Sequence, residues 1–373
     1  MNKRYISLGL MSGTSGDGVD ASVINSNGND DYESIKDKCF EYDSKIYKDI
    51  HELKDKINSY KDLINYTLEI SNLERDITLF HAKIIKDLKM EDEDYLIGFH
   101  GQTIYHNAEE KISVQLGDAK LLHQLIKKKI IYNFRANDIA NGGEGAPLAP
   151  IFHQLIVSKK KMTLPIGILN IGGISNITAV KSKIGNEEFF SRDVGPGNCL
   201  IDNWVRKNSR NKFDKDGSLA MIGENNEIIF EQAQELYANR KNKNKLSYDI
   251  SDFDISFARG LSLEDGARTL TNFTASIIGE VTMETILKNK LKIRELLVCG
   301  GGRKNTILLE EIKKNLEKTI SITNIDDYGI DGDFIESQAF AFLAIRSIIN
   351  LPISFPNTTG CKIPCSGGEL IQN

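Results

Sequence analysis

With 373 residues, 40% of them apolar and 27% charged, the chain has the make-up of a globular protein long enough for two domains. Its 47 basic and 52 acidic side chains leave a net charge of −5, which sets up no field to gather nucleic acid. No apolar run reaches membrane-spanning length, no cleavage pattern follows the basic start Lys3-Arg4, and five scattered cysteines fit reduced thiols, so a cytoplasmic location is expected.

Tyr5 to Met11 reads as a buried strand. It runs into Ser12, Gly13, Thr14, Ser15 and Gly16, then Asp17, Gly18, Val19 and Asp20, and Ala21 to Asn25 is apolar again. The pattern is strand, glycine and hydroxyl turn, strand, with Asn27-Gly28 marking the next hairpin. Two readings of the glycines stand. They supply backbone freedom in a tight hairpin, or they make room for amides and hydroxyls that line an anion seat. A carboxylate in the turn repels bare phosphate but suits one carried with Mg²⁺. The turn is neither a Walker loop nor G-x-G-x-x-G opening a helix.

Tyr32 to Asp43 is expected as a third strand. Leu63, Tyr66, Ile70, Leu73, Ile77, Phe80 and Ile84 recur at spacings of three and four, which predicts one helix over 61–90 with His81 beside its apolar face. Tyr95 to Phe99 reads as a strand that ends at His100-Gly101-Gln102-Thr103. Ile112 to Leu116 is another strand, Ala119 to Lys128 a helix, and Ile130 to Phe134 a strand running into Arg135, Asp138 and a glycine-rich stretch, Gly142 to Pro147. The domain crossover is expected there.

The second unit opens with a helix over Pro150 to Lys159 and a strand over Leu164 to Ile171. Gly172-Gly173-Ile174-Ser175-Asn176 and a strand over Ile177 to Val180 repeat the opening logic, which suggests a duplicated architecture. Asp193-Val194-Gly195-Pro196-Gly197-Asn198 leads into a helix from Leu200 to Lys207, and residues 236–248 read as an exposed connection. A long helix covers 264–290, Leu296 to Cys299 is a strand ending in Gly300-Gly301-Gly302, and Glu336 to Ile349 is a helix.

Three glycine-rich turns, at 12–18, 172–176 and 300–302, each follow a strand, and open α/β sheets bind ligands at such strand ends. They point to a nucleotide. Asp193, with glycines beside it that leave room for a substrate, suits a general base; it suits equally a cap for the helix that follows, a task Asn198 can also perform. His100, Gln102, Arg135, Asp138 and Glu336 suit a polyhydroxylated or carboxylated ligand, Arg135 through a bidentate contact, though each alone also fits a structural hydrogen bond. Asp214 and Asp216 either hold Mg²⁺ or form a turn.

Read together and in order, these motifs resemble the anhydro-N-acetylmuramic acid kinases, in the superfamily that joins sugar kinases, actin and the heat-shock chaperone ATPases. The resemblance runs nearly end to end, from Gly9–Asp20 through His100–Thr103, Phe134-Arg135, Asp138–Leu148, Asn170–Asn176, Asp193–Asn198, Asp214–Gly217 and Cys299–Gly302 to Glu336. It implies an α/β fold of two ribonuclease-H-like (actin/hexokinase-type) domains with mixed sheets around a central cleft. One lobe would comprise 1–133 with 347–373 and the other 134–346.

It implies an ATP-dependent kinase that opens the 1,6-anhydro ring with water and phosphorylates O6, with Asp193 activating the water. ATP would lie against Gly13, Thr14, Ser15, Gly16, Asp17, Gly18, Val19 and Asp20, against Gly172, Gly173, Ser175 and Asn176, and against Gly300, Gly301 and Gly302. Asp17 and Asp20 would stand by Mg²⁺, and His100, Gln102, Arg135 and Glu336 by the sugar. The partners implied are the sugar, ATP and water, with no nucleic acid and no membrane; a homodimer stays open. Two positions depart from the family pattern, Gly16 in place of a larger apolar residue and Asn133 in place of an acidic one. A kinase acting on an ordinary sugar hydroxyl and a non-catalytic nucleotide sensor are the competing readings.

Overall fold

The structure is a computed structural model and describes residues 3–90, 94–183, 188–239, 248 and 252–372. From Ser7 onward β1 (Tyr5–Ser12) is buried on both faces, which is why its sequence is continuously apolar rather than alternating. It pairs antiparallel with β2 (Gly18–Ser26), and β2 pairs antiparallel with β3 (Tyr32–Glu41). On its other side β1 runs parallel to β4 (Tyr95–Asn107), which carries β5 (Ile112–Leu116) as a hairpin partner and lies parallel to β6 (Lys129–Tyr132).

A second sheet is built from β7 (Ile166–Ile171), β8 (Ile174–Val180), β9 (Phe189–Pro196), β10 (Glu295–Cys299) and β11 (Ser321–Asn324), in the order β11-β10-β7-β8-β9. The last strand, β12 (Glu369–Ile371), joins the first sheet beside β6. In both sheets a three-strand meander lies against a later strand parallel to its first: β3-β2-β1-β4-β6 and β9-β8-β7-β10-β11. That is the ribonuclease-H-like order, present twice, and the two mixed sheets are those the sequence implies.

The chain divides into two compact units, one of Met1–Met162, Ser182–Phe189 and Asp333–Asn373, the other of Thr163–Lys181 and Phe190–Gly332. The crossover therefore falls after Met162 and the return at Asp333, whereas the sequence suggests a crossover after Asn133 and a return at Ser347. Packing explains the shift: Phe152, on the helix Pro150–Lys159, meets the Tyr32 ring at 4.9 Å and the Phe342 ring at 5.6 Å, and Lys159 pairs with Asp31 at 2.9 Å.

Other expectations shift in detail. The helix over 61–90 is two, Tyr60–Asn65 and Thr67–Asp87, broken where Tyr66 leaves helical geometry at φ −105° and ψ 25°. A helix at Ser44–Lys56 has no counterpart in the sequence reading. It starts because the Asp43 carboxylate accepts from the Lys45 and Ile46 amides, and it buries only Ile46, Ile50 and Leu53. β4 does not stop at Phe99 but continues to Asn107, with a bulge at His100 where the β1 register slips. Residues 240–247, within the expected connection, lie outside the described residues; its start belongs to the helix Glu227–Ala238.

The helix Ile335–Ile348 lies directly on the backbone of β1 and β4. A Cβ at Gly9 would stand 1.9 Å from the Ser337 carbonyl, and one at Gly98 would stand 2.4 Å from the Phe340 carbonyl. Both obstacles are backbone. Gly9→Ala and Gly98→Ala are therefore expected to destabilise the protein by about 1–3 kcal/mol each, as overpacking does, read as a lowered urea midpoint at unchanged slope.

Candidate active site

In the first unit the turn between β1 and β2 hangs from a buried polar cluster. Ser12 Oγ lies 2.8 Å from the Gly18 carbonyl, 2.7 Å from Gln102 Oε1 and 2.8 Å from the Tyr42 hydroxyl. Gln102 Nε2 donates to Gly13 O at 2.9 Å, Lys54 Nζ donates to Thr14 O at 2.6 Å, and Tyr42 N donates to Asp17 O at 2.9 Å. Gly16 closes the turn, its amide donating to Gly13 O at 3.2 Å and its φ at +68°, a region that suits glycine. The small residue in place of a larger apolar one thus has a local reason: a Cβ there would meet Ile50 Cγ2 at 2.9 Å.

Val19, grouped with this turn in the sequence, is wholly buried in the core and offers a nucleotide no side chain. Asp17 and Asp20 are half-buried. Asp20 accepts from the Cys39 thiol on β3 and, after burial itself, helps push that thiol up to about 12.

His100, Gln102 and Arg135 are brought together, in part. The buried His100 ring packs on Phe340 with centroids 4.4 Å apart, its Nδ1 2.8 Å from Gly101 O and its Nε2 2.9 Å from Arg135 Nη2. Burial first, then the Arg135 charge, holds His100 well below the usual histidine range, so Nε2 is a neutral acceptor for the guanidinium. Arg135 Nη1 donates to Gly145 O at 2.6 Å. The Gly142–Pro147 stretch is fixed by Asp138, buried, whose carboxylate accepts from Gly145 N at 2.7 Å and Thr359 Oγ1 at 2.6 Å. Asp138 is thus a brace. Glu336 is half-buried in the first turn of the helix Ile335–Ile348, where the helix dipole favours a carboxylate. Asn133 has φ +54°, a conformation asparagine tolerates better than most residues, and its amide meets Glu369.

In the second unit β7 and β10 are parallel neighbours, and both glycine turns lie at their carboxyl ends. The Gly172–Ser175 turn holds the segment after β9. Gly172 O accepts from Asn198 N at 2.8 Å, Gly173 O from Gly197 N at 2.8 Å, and the buried Ser175 hydroxyl donates to Pro196 O at 3.3 Å. Gly302 packs on Ile171 so closely that a Cβ would meet its Cγ2 at 2.2 Å, whereas Gly301 is exposed. Arg303 secures the turn, donating to Gly300 O at 3.2 Å and to Asp326 Oδ2 at 3.0 Å.

Asp193 sits within β9, only 6% exposed, and its Oδ2 accepts from the Tyr248 amide at 2.7 Å. It does not cap the helix that follows: the N-cap of Cys199–Asn208 is Asn198, whose side chain makes no capping bond. Asp214, by contrast, accepts from Leu219 N at 2.7 Å and Ala220 N at 3.1 Å, in the first turn of the helix Ser218–Ile222. Among the described residues no cluster of three or more His, Cys, Asp or Glu side chains is placed to hold a metal, and no helix is long and apolar enough to cross a membrane.

Sequence reasoning missed Ser12 as a hub, Tyr42 and Lys54. Tyr42 and Lys54 lie some thirty to forty residues from the turn they touch, on a strand end and on the unforeseen helix, so spacing carried no signal.

Two ribonuclease-H-like units with glycine turns at the carboxyl ends of parallel strands define the ATPase fold shared by sugar kinases and actin. The family model for anhydro-N-acetylmuramic acid kinase matches residues 3–373. A protein of that name from Pelagibacter ubique is 56% identical over 100% of both chains, and ones from Brucella canis and Gluconobacter oxydans are 35% and 34% identical, each over 98% of this chain and 98–99% of its own. The chain belongs to the anhydro-N-acetylmuramic acid kinase family and is an enzyme of the kinase class.

Burial also holds His81 and His153 down, each to about 4. The unfolded chain then binds protons that the folded one refuses between about pH 6.5 and 4, so stability is full above 6.5 and falls as pH drops through that window, by about 3 kcal/mol per histidine at most. Urea midpoints should fall across it, and His153→Gln should flatten the slope.

Proposed function

We propose that this chain opens the 1,6-anhydro ring of anhydro-N-acetylmuramic acid with water and transfers the γ-phosphoryl group of ATP to the released O6. The products are N-acetylmuramic acid 6-phosphate and ADP, a step of cytoplasmic cell-wall sugar recycling. Family membership supports the reaction, and one observation carries its assignment to a residue: Asp193 is a buried carboxylate on a strand, oriented by a backbone amide and not spent on capping the helix that follows.

Asp193 takes a proton from water as the water oxygen bonds to C1. The C1–O6 bond breaks through an oxocarbenium-like state, and the O6 electron pair, released on the other side, bonds to the γ-phosphorus as the bond to the β-phosphate bridging oxygen breaks. A buried base on a strand, oriented by the Tyr248 amide, keeps its geometry through the step. The amides of the Gly13–Asp17 turn take the phosphates, and Gly300–Gly302 the rest of the nucleotide. Arg135, held by His100 and Gly145 O, faces the sugar's carboxylate, and Glu336 hydrogen-bonds the sugar.

The donor set fits a Mg²⁺ that arrives with the nucleotide: two carboxylates, Asp17 and Asp20, stand by the turn, and such a metal draws its other ligands from phosphate and water. When bound it neutralises charge on the transferring group.

Asp193→Asn keeps the shape and the acceptor for Tyr248 N but removes the base. It is expected to lower kcat by about 10²–10⁴-fold while leaving ATP affinity, measured by calorimetry, unchanged. A variant as active as the parent would remove Asp193 from the mechanism.

A further inference from the structure

Two side chains distant in sequence grip the Gly13–Asp17 turn, one of them sharing Gly13 O with the Gly16 amide. Gln102 Nε2 donates to the Gly13 carbonyl at 2.9 Å, and Lys54 Nζ donates to the next carbonyl, Thr14 O, at 2.6 Å. In a planar trans peptide the C=O of one residue and the N–H of the next point in opposite directions. Holding these two carbonyls therefore turns the Thr14 and Ser15 amides away from Gln102 and Lys54. Around Gly13 the turn is open, since a Cβ there would find only Ser15 Oγ, at 3.8 Å.

Gln102 itself is wholly buried and engaged at both ends of its amide. Nε2 faces two carbonyls, Gly13 O at 2.9 Å and Thr103 O at 3.2 Å, which fixes which end is nitrogen. Oε1 lies 2.7 Å from Ser12 Oγ. Lys54 adds a positive charge at the turn, from a half-buried position on the helix Ser44–Lys56.

We propose that Gln102 and Lys54 are positioning residues of the phosphate turn: by gripping Gly13 O and Thr14 O they aim the Thr14 and Ser15 amides at the phosphates of ATP. Gln102 then acts on the nucleotide side of the reaction and does not bind the sugar. This rests on the reading of the turn as the phosphate seat, given above. An amide seat works only if its dipoles are pre-aligned, because a peptide free to flip would present its carbonyl to the anion.

The test is steady-state kinetics with ATP and the anhydro sugar varied independently, on Gln102→Glu and Lys54→Met. Gln102→Glu keeps the acceptor for Ser12 but replaces the donor to Gly13 O; Lys54→Met keeps the aliphatic stem. Each is expected to raise the KM for ATP about tenfold, the worth of one well-made hydrogen bond to a fixed group, and to leave the KM for the sugar unchanged. A raised sugar KM with an unchanged ATP KM, or no change in either, overturns the proposal. Should Gln102→Glu fail to fold, Lys54→Met decides alone, since a half-buried helix position accepts methionine. Gly13→Val, which fills the open side of the turn, separates the two layers. If it leaves the ATP KM unmoved, the turn is not the phosphate seat. If it raises that KM while Gln102→Glu and Lys54→Met do not, only the positioning role falls.

Discussion

The first unit depends on an approach between backbones that no side chain permits. The helix Ile335–Ile348 rests on Gly9 of β1 and Gly98 of β4, with its own carbonyls where Cβ atoms would be. That contact ties the chain's last long helix to its first strand and locks the parallel β1–β4 pair. The phosphate turn hangs from that pair: it leaves the end of β1 at Ser12, and the bulge at His100 and the brace at Gln102 stand beside it in the middle of β4, where Gln102 pairs with Ser12. Rigid strands hold short polar pieces in place, which is what a site needs when its work is positioning.

The second unit reaches a similar end by different contacts. Its two glycine turns follow parallel neighbours, β7 and β10, and pack on one another through Gly302 and Ile171. The carbonyls of Gly172 and Gly173 are spent on the segment after β9, which fixes the strand that carries Asp193. The proposed base therefore owes its position to the same turn that the sequence marks only as a repeat of the first.

Much of this is legible in the residues, for reasons of period and punctuation. Continuous apolar runs mark the central strands, and the glycine turns stand out because little else in the chain tolerates their conformations. What stays hidden is non-local. The helix Ser44–Lys56 carries its signal in only three buried residues, Ile46, Ile50 and Leu53 at spacings of four and three, a short stripe between charged residues. β4 reads as ending at Phe99 because the polar run after it looks like a loop, yet a bulge and β5 carry the strand on. In the site the same rule holds. The residues around Asp193 leave its cap alternative open, and only geometry removes it. Gln102 reads as a sugar contact because a polar residue at a strand end suits either task; its partners, Ser12 and Gly13, lie about ninety residues away. Asp138 and Ser175, polar and near glycines, are braces.

In the proposed reaction the Asp193 carboxylate activates water at the anomeric carbon while phosphate goes to the oxygen that departs. Running the reaction with ATP, Mg²⁺ and the anhydro sugar in ¹⁸O-water, and locating the label in the product by mass spectrometry and NMR, tests this directly. One ¹⁸O at C1 and none in the phosphate ester bridge is the predicted result. A phosphorylated product without label at C1 would contradict it.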